Sequence, residues 1–366
     1  MVHTSSVVVF RCAPGRLDQI VGSCRYRREV DELNVSQLSE GQLLARIFPL
    51  LRSSTSVLLG PGDDAALVSS PDGRTVISVD TQVQDQDFRL AWNNGYSSTG
   101  YDVGWKAAAQ NLSDINAMGA VGTAMVVSLT LPPSTPVSWA EGLANGLSAA
   151  IESLGASQCG IVGGDLSAGR EISVTVTVLG DLQNRQPILR SGAQRGDVLA
   201  VAGVLGRAGA GWALLESQIP FSDLDAAQLG LIDAFRCPRP PLAAGPVAAL
   251  AGASAMLDIS DGLLRDAARL ATASDVVLDL NPQALNEFCA ALLPAAEALG
   301  VSALNWVLSG GEDHGLLSTF GPDAQLPEGF TAIGSVLSKE DGPGSESCVT
   351  VAGQPIGAAG WDHFAD

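Results

Sequence analysis

Short acidic motifs are the residues here that could do chemistry: PGDDAALV with Asp63 and Asp64, SVDT with Asp80, NLSD with Asp114, GGDLS with Asp165, and DISDG with Asp258 and Asp261. Carboxylates gathered in one place repel and must be neutralised. Hard cations such as Mg²⁺ take oxygen ligands while leaving positions open to phosphate oxygens. Taken together, the motifs read as a multi-metal cradle. Each motif alone has a plainer reading. GDD and GGD are common turn sequences, Asp80 can end a strand, and Asp114 can be a solvated carboxylate on a helix. In DISDG, period two puts Asp258 and Ser260 on one strand face. Ser260 can then cap the following helix, with Asp261 in its first turn beside amides that favour anions. A helix cap alone is the alternative.

GGEDHG (310–315) is a Gly-rich turn carrying Glu312 and Asp313, either a site loop or simply a loop. His314 invites a general-base role, but transfer to an anionic phosphate oxygen needs no deprotonation of the nucleophile, so it is not assigned one. Trp361, in GWDHF, is a packing anchor or an aromatic platform for a ring. The only lysines are Lys106 and Lys339, and neither ends a GxxxxGK[ST] sequence, so a P-loop is absent. Any phosphate handling would rely on metal ions instead.

The elements that must position these groups can be read from periodicity. LSEGQLLARIFPLL (38–51) reads as an opening helix with a capping box at Ser39 and Gln42. TVISVD (75–80) alternates as a strand, with Val76, Ser78 and Asp80 on one face and Ile77 and Val79 on the other. Residues 104–120 read as a helix, 124–131 as a strand, 138–154 as a second helix, and CGIVGG and EISVTVTVLG as further strands. After a polar break at 183–187 the strand and helix patterns resume: strand then helix over 196–216, a proline-rich break at 237–246, the strand AMLDIS, a helix at its end, and the strand VVLDL. This order predicts two α/β domains, 37–183 and 184–366.

The net charge of −19, with no basic cluster, argues against a nucleic-acid partner, and no apolar run is long enough to span a bilayer. The 6 cysteines are dispersed and there are 3 histidines, which argues against a zinc site or disulfide framework and for a reducing cytoplasm. Residues 1–36 are Arg-rich and differ in character from the rest of the chain, as expected of a leader or a segment upstream of the true start.

In order, GDDAALV, SVDT, GWKAAAQNLSDINAMGA, GGD, RSGAQRGD, DISDGLLRD, SGGED and GWDHF resemble the motif series of thiamine-monophosphate kinases, over residues 38–364. The resemblance implies a two-domain α/β fold like that of aminoimidazole ribonucleotide synthetase. The N-terminal domain would form a dimer sheet or barrel, giving a homodimer, and the C-terminal domain would be α/β. It implies several Mg²⁺ ions as cofactor, ATP as co-substrate and thiamine monophosphate as acceptor. Metal ligands would fall on Asp64, Ser78, the Val79 carbonyl, Asp80, Asp114, Asp165, Asp258 and Asp261. Nucleotide contacts would fall on Gly164, Asp165, Arg190 and Ser260, and substrate contacts on Asp87, Glu312 and Trp361. Two departures stand out. Asp87, in QDQDF, replaces a histidine usual in the family, and His314 replaces the tyrosine of GGEDYE. The alternatives are another ATP-dependent enzyme of this fold, such as a selenophosphate synthetase or a hydrogenase-maturation protein, or a Ca²⁺-binding acidic module. The cysteine features of the first two do not occur in this sequence.

Overall fold

The computed structural model describes residues 33–60, 66–340, 348–357 and 359–361, so the Arg-rich leader, Asp63 and Asp64 lie outside the described residues. The described residues, all from Leu33 onward, fall in one compact unit. Its first half contains α1 (Glu40–Ile47), β1 (Val57–Leu59), β2 (Leu67–Val68), β3 (Val76–Val83), α2 (Gly100–Ala117), β4 (Val121–Leu131), α3 (Val137–Ser153), β5 (Gly160–Ala168) and β6 (Ser173–Asp181). The second contains β7 (Val198–Ala202), α4 (Arg207–Glu216), α5 (Ala226–Arg236), α6 (Ala244–Leu250), β8 (Ala255–Ile259), α7 (Leu263–Ser274) and β9 (Val277–Leu280). It is completed by α8 (Pro282–Cys289), α9 (Leu293–Leu299), α10 (Ala303–Ser309), β10 (Gly315–Phe320), β11 (Phe330–Leu337), β12 (Val349–Val351) and β13 (Gln354–Pro355).

The opening helix starts where its capping box demands: the Gln42 amide donates to Ser39 Oγ, and the Ser39 amide donates to Gln42 Oε1. A four-stranded sheet, β3-β6-β4-β5, is covered on one face by α2 and α3. Val174, Val176 and Val178 of β6 point into that layer, while the opposite face leaves Ile77 and Val79 exposed. The two helices lie very close. A Cβ on Gly104 would sit 2.1 Å from the Leu143 carbonyl oxygen, and one on Gly146 would sit 2.1 Å from that of Tyr101.

A seven-stranded sheet, β13-β12-β9-β11-β7-β10-β8, forms the second half. Its central strands are buried on both faces, and period two sorts their residues. Leu199, Val201, Leu257 and Ile259 meet the core built with α4, α7 and α10. Ala200, Ala202 and Met256 meet Ala117 of α2 and Ala248 of α6. Small side chains there let α2 dock, and Asp258, two residues from Met256, falls on the same face. Asn116 fastens the docking by donating to the Pro241 carbonyl and accepting from the Gly245 amide. Helix α2 is thus shared by both sheets.

Candidate functional site

The acidic centre forms where α2 runs between β3 and β8. The face of β3 that carries Ser78 and Asp80 meets α2: Ser78 Oγ donates to Asp114 Oδ2 at 2.5 Å, and the Asp80 amide donates to Asn111 Oδ1 at 3.2 Å. The Asp80 and Asp114 carboxyls perturb each other, and Asp258 acts on both electrostatically. Burial pushes Asp114 up from 3.8 to about 7, with the charges of Asp258 and Asp80 adding to it. Asp80 is also raised, by burial first and by Asp258, against a lowering from Asp114 and His314.

These groups open into a cavity of about 620 Å³ whose walls include Asp80, Asp87, Asp114, Asp258, Ser260, Asp261, Glu312 and Trp361. The ion pairs on the cavity's other walls are Lys106 with Glu312 at 2.6 Å and Arg269 with Asp261 at 2.5 Å. Among the described residues, no Lys or Arg pairs with Asp80, Asp114 or Asp258, and the Asp258 carboxylate lies 3.4 Å from His314 Nδ1. The excess of hard oxygen donors without a protein cation fits Mg²⁺. Among the described residues, however, no three acidic, histidine or cysteine side chains are drawn together in metal-holding geometry. The carboxylates line one cavity and act on one another electrostatically.

The turn after α10 forms another wall. Glu312 and His314 both adopt positive φ, 66° and 53°, which costs a side-chain-bearing residue about 1–3 kcal/mol unless the surroundings fix it. They do fix it. The Glu312 and His314 amides donate to the carbonyls of Ser260 and Ile259 at 2.7 and 3.1 Å, and the buried Asp313 carboxylate accepts from the Gly206 and Ala208 amides at the start of α4. Burial pushes Asp313 up to about 7 despite those two donors. Burial alone would lower His314, but the hydrogen bond and charge of Asp258 turn its shift upward.

The DISDG reading needs a correction at Ser260. It lines the cavity but does not cap α7; Gly262, at φ 116°, stands at the cap, and Asp266 accepts from the Asp261 and Gly262 amides. Asp266, inside the helix, has taken the Gly262 amide that a Ser260 cap could have used. Trp361 donates its amide to the Asp261 carbonyl at 2.9 Å and is 43% exposed, its ring 5.9 Å from that of Trp212. Asp87 accepts the Val83 amide at 2.7 Å through its carboxylate.

Other expected residues stand apart from this centre. Val79 points its side chain out from the open face of the four-stranded sheet. Asp165 lies in register with Ser128, which is in register with Thr175 and so with Thr81, a polar row on that open face. Gly164 and Asp165 line a separate cavity of about 500 Å³ with Leu44, Phe48 and Val126. Arg190 is exposed and lines neither cavity. Among the site residues that escaped the sequence reading are Gln110, on the cavity wall, and Lys106, behind it. Helical spacing from Asp114 could have found Gln110. Lys106 gave one signal only, its rarity.

Residues 62–182 match the family model described as AIR synthase related protein, N-terminal domain. The chain is 48% identical over 335 residues to the thiamine-monophosphate kinase of Mycobacterium tuberculosis H37Rv, covering 91% of this chain and 93% of that one. It is 33% identical over 347 residues to the Escherichia coli K12 thiamine-monophosphate kinase, covering 89% and 98%. The solved structure of AaThiL complexed with AMPPCP and TMP superposes with a TM-score of 0.68 at 29% identity, covering 91% of this chain and 99% of that one. The hydrogenase maturation protein HypE, at 17% identity and a TM-score of 0.64, shares the fold. The chain belongs to the thiamine-monophosphate kinase family.

Proposed function

We propose that the chain transfers the γ-phosphoryl group of ATP to the phosphate of thiamine monophosphate, giving thiamine diphosphate by direct in-line transfer. The observation that carries this reading is that Asp80, Asp114 and Asp258, with no Lys or Arg partner among the described residues, line one cavity together with Glu312 and Trp361. The AMPPCP and TMP of the AaThiL complex support it. Asp64, Ser78, the Val79 carbonyl, Asp80, Asp114, Asp165, Asp258 and Asp261 would hold several Mg²⁺ ions. Bound metal would screen the repulsion between two anionic phosphates and neutralise charge on the transferring group.

The protein's own residues supply position. The Ser78 to Asp114 hydrogen bond fixes the orientation of one carboxylate, and the pairing of β8 with β10 fixes Asp258 opposite Leu316. Gly164, Asp165, Arg190 and Ser260 are proposed to contact the nucleotide, and Asp87, Glu312 and Trp361 the acceptor, with the exposed Trp361 indole able to stack on a ring. No side chain need move a proton, because the attacking phosphate oxygen is already anionic.

The open face of the four-stranded sheet, with Ile77, Val79 and Val126 exposed, supports a homodimer joined through the N-terminal domain (37–183), with 184–366 as the second domain. No helix among the described residues is long and apolar enough to cross a membrane, which is compatible with a cytoplasmic enzyme. The test is a product assay with ATP, MgCl₂ and thiamine monophosphate, with thiamine and aminoimidazole-type precursors as parallel acceptors. Thiamine diphosphate formed only from the monophosphate, and lost with EDTA, is the expected result. No turnover despite Mg²⁺-dependent nucleotide binding would reject the acceptor.

A further inference from the structure

Lys106 is a lysine buried to 2% exposure in the middle of α2, a costly place for a cation unless it is fully used. Its Nζ donates to Glu312 Oε1 at 2.6 Å and to the Asp87 carbonyl at 2.9 Å, and it stands 3.9 Å from the centre of the Phe235 ring. Those partners come from three separate parts of the chain: the turn after α10, the segment after β3, and α5. Both polar partners line the main cavity, whereas Lys106 itself does not.

We propose that Lys106 is a positioning residue, whose ammonium holds the Glu312 carboxylate and the Asp87 backbone in place for the acceptor. The proposal rests on the proposed contacts of Glu312 and Asp87 with the acceptor. Its physical need is visible at Glu312, whose φ of 66° is a conformation that a side-chain-bearing residue leaves readily unless tied down. Asp313 ties the turn to α4 on one side, and Lys106 ties Glu312 to α2 on the other. Because α2 also carries Asp114, one rigid helix sets the spacing between the acidic centre and the acceptor wall. An uncharged residue at 106 would release Glu312 and leave Asp114 where it is.

The experiment measures KM for thiamine monophosphate and for ATP, with kcat, in the wild-type protein and in K106M, K106Q, E312Q and K106M/E312Q. Methionine keeps the length and the packing on Phe235 without charge; glutamine keeps a donor for the Asp87 carbonyl and serves also if K106M fails to fold. K106M is expected to raise KM for the acceptor roughly 10- to 100-fold while KM for ATP stays within about twofold, since a misplacement near 1 Å can cost about 100-fold. K106Q should fall between K106M and wild type, and the double variant should be no worse than the more impaired single one. Equal effects on both KM values, or effects that multiply in the double variant, would overturn the positioning role. If E312Q raises the acceptor KM and both Lys106 variants leave it unchanged, the proposal fails and the site reading stands. If E312Q itself leaves the acceptor KM unchanged, the contact assigned to Glu312 is wrong, and the proposal falls with it.

Discussion

Replacing Asp114 by asparagine should remove activity and, in the metal-free protein, make folding less sensitive to alkaline pH. The Asp114 carboxyl is raised from 3.8 to about 7 by burial and by Asp258 and Asp80. At about 1.4 kcal/mol per tenfold change in proton affinity, this amounts to about 4 kcal/mol of disfavoured ionisation. Proton occupancy sets the sign. Between 3.8 and about 7 the folded protein keeps a proton that the unfolded chain has lost, so stability falls as pH rises through that window and levels off above it. From pH 5 to pH 8 the loss attributable to this group is about 2 to 3 kcal/mol. Because Asp80 and Asp114 perturb each other's titration, that figure belongs to the pair.

The asparagine of D114N keeps an acceptor for Ser78 Oγ and carries no charge. Thermal unfolding in EDTA at pH 5 and pH 8 should therefore show a smaller alkaline loss for D114N than for wild type, by about 2 to 3 kcal/mol, or on the order of 5 °C. The shifts at Asp313, to about 7, and Asp266, to about 6, are present in both proteins and largely cancel in the difference. Mg²⁺ should recover most of the alkaline loss in wild type and little in D114N. Identical pH dependence in EDTA would refute the claim that these carboxylates meet as a strained anionic pair.

Asp80→Asn and Asp258→Asn should each cut turnover by about 100-fold or more, because each removes a charge from the group proposed to bind metal; near-normal kcat in either variant would remove that residue from the assignment. Trp361→Ala should raise KM for thiamine monophosphate about 2- to 12-fold, the range for losing about 0.5 to 1.5 kcal/mol of stacking, with KM for ATP little changed. Gly104→Ala should destabilise by about 1 to 3 kcal/mol or more, since its Cβ would meet the Leu143 carbonyl oxygen at 2.1 Å. Gly41→Ala, in α1 with nothing within 4 Å of its Cβ, should stabilise by about 0.5 to 1 kcal/mol; urea midpoints for the two variants would compare them directly.

What the sequence alone determined was local. Capping at Ser39 and Gln42, the alternation that sets Ser78 and Asp80 on one face of β3, and the helix carrying Asp114 all depend on residues a few positions apart, and they formed where expected. The acidic motifs could be named because their residue types and Gly or Ser neighbours are visible in a line of letters. Which of them meet was decided by tertiary structure. Asp114 joins Asp80 and Asp258 because small residues at Ala117, Ala200 and Ala202 let α2 dock on the second sheet, and no local pattern encodes that approach. Asp165 stands on the other face of the first sheet, because pairing with β4 sets its register. Lys106 was one letter in an alanine-rich helix until folding brought Glu312, Asp87 and Phe235 around it from distant positions. Those partners hold the buried side chain in place, and only the three-dimensional surroundings could supply them.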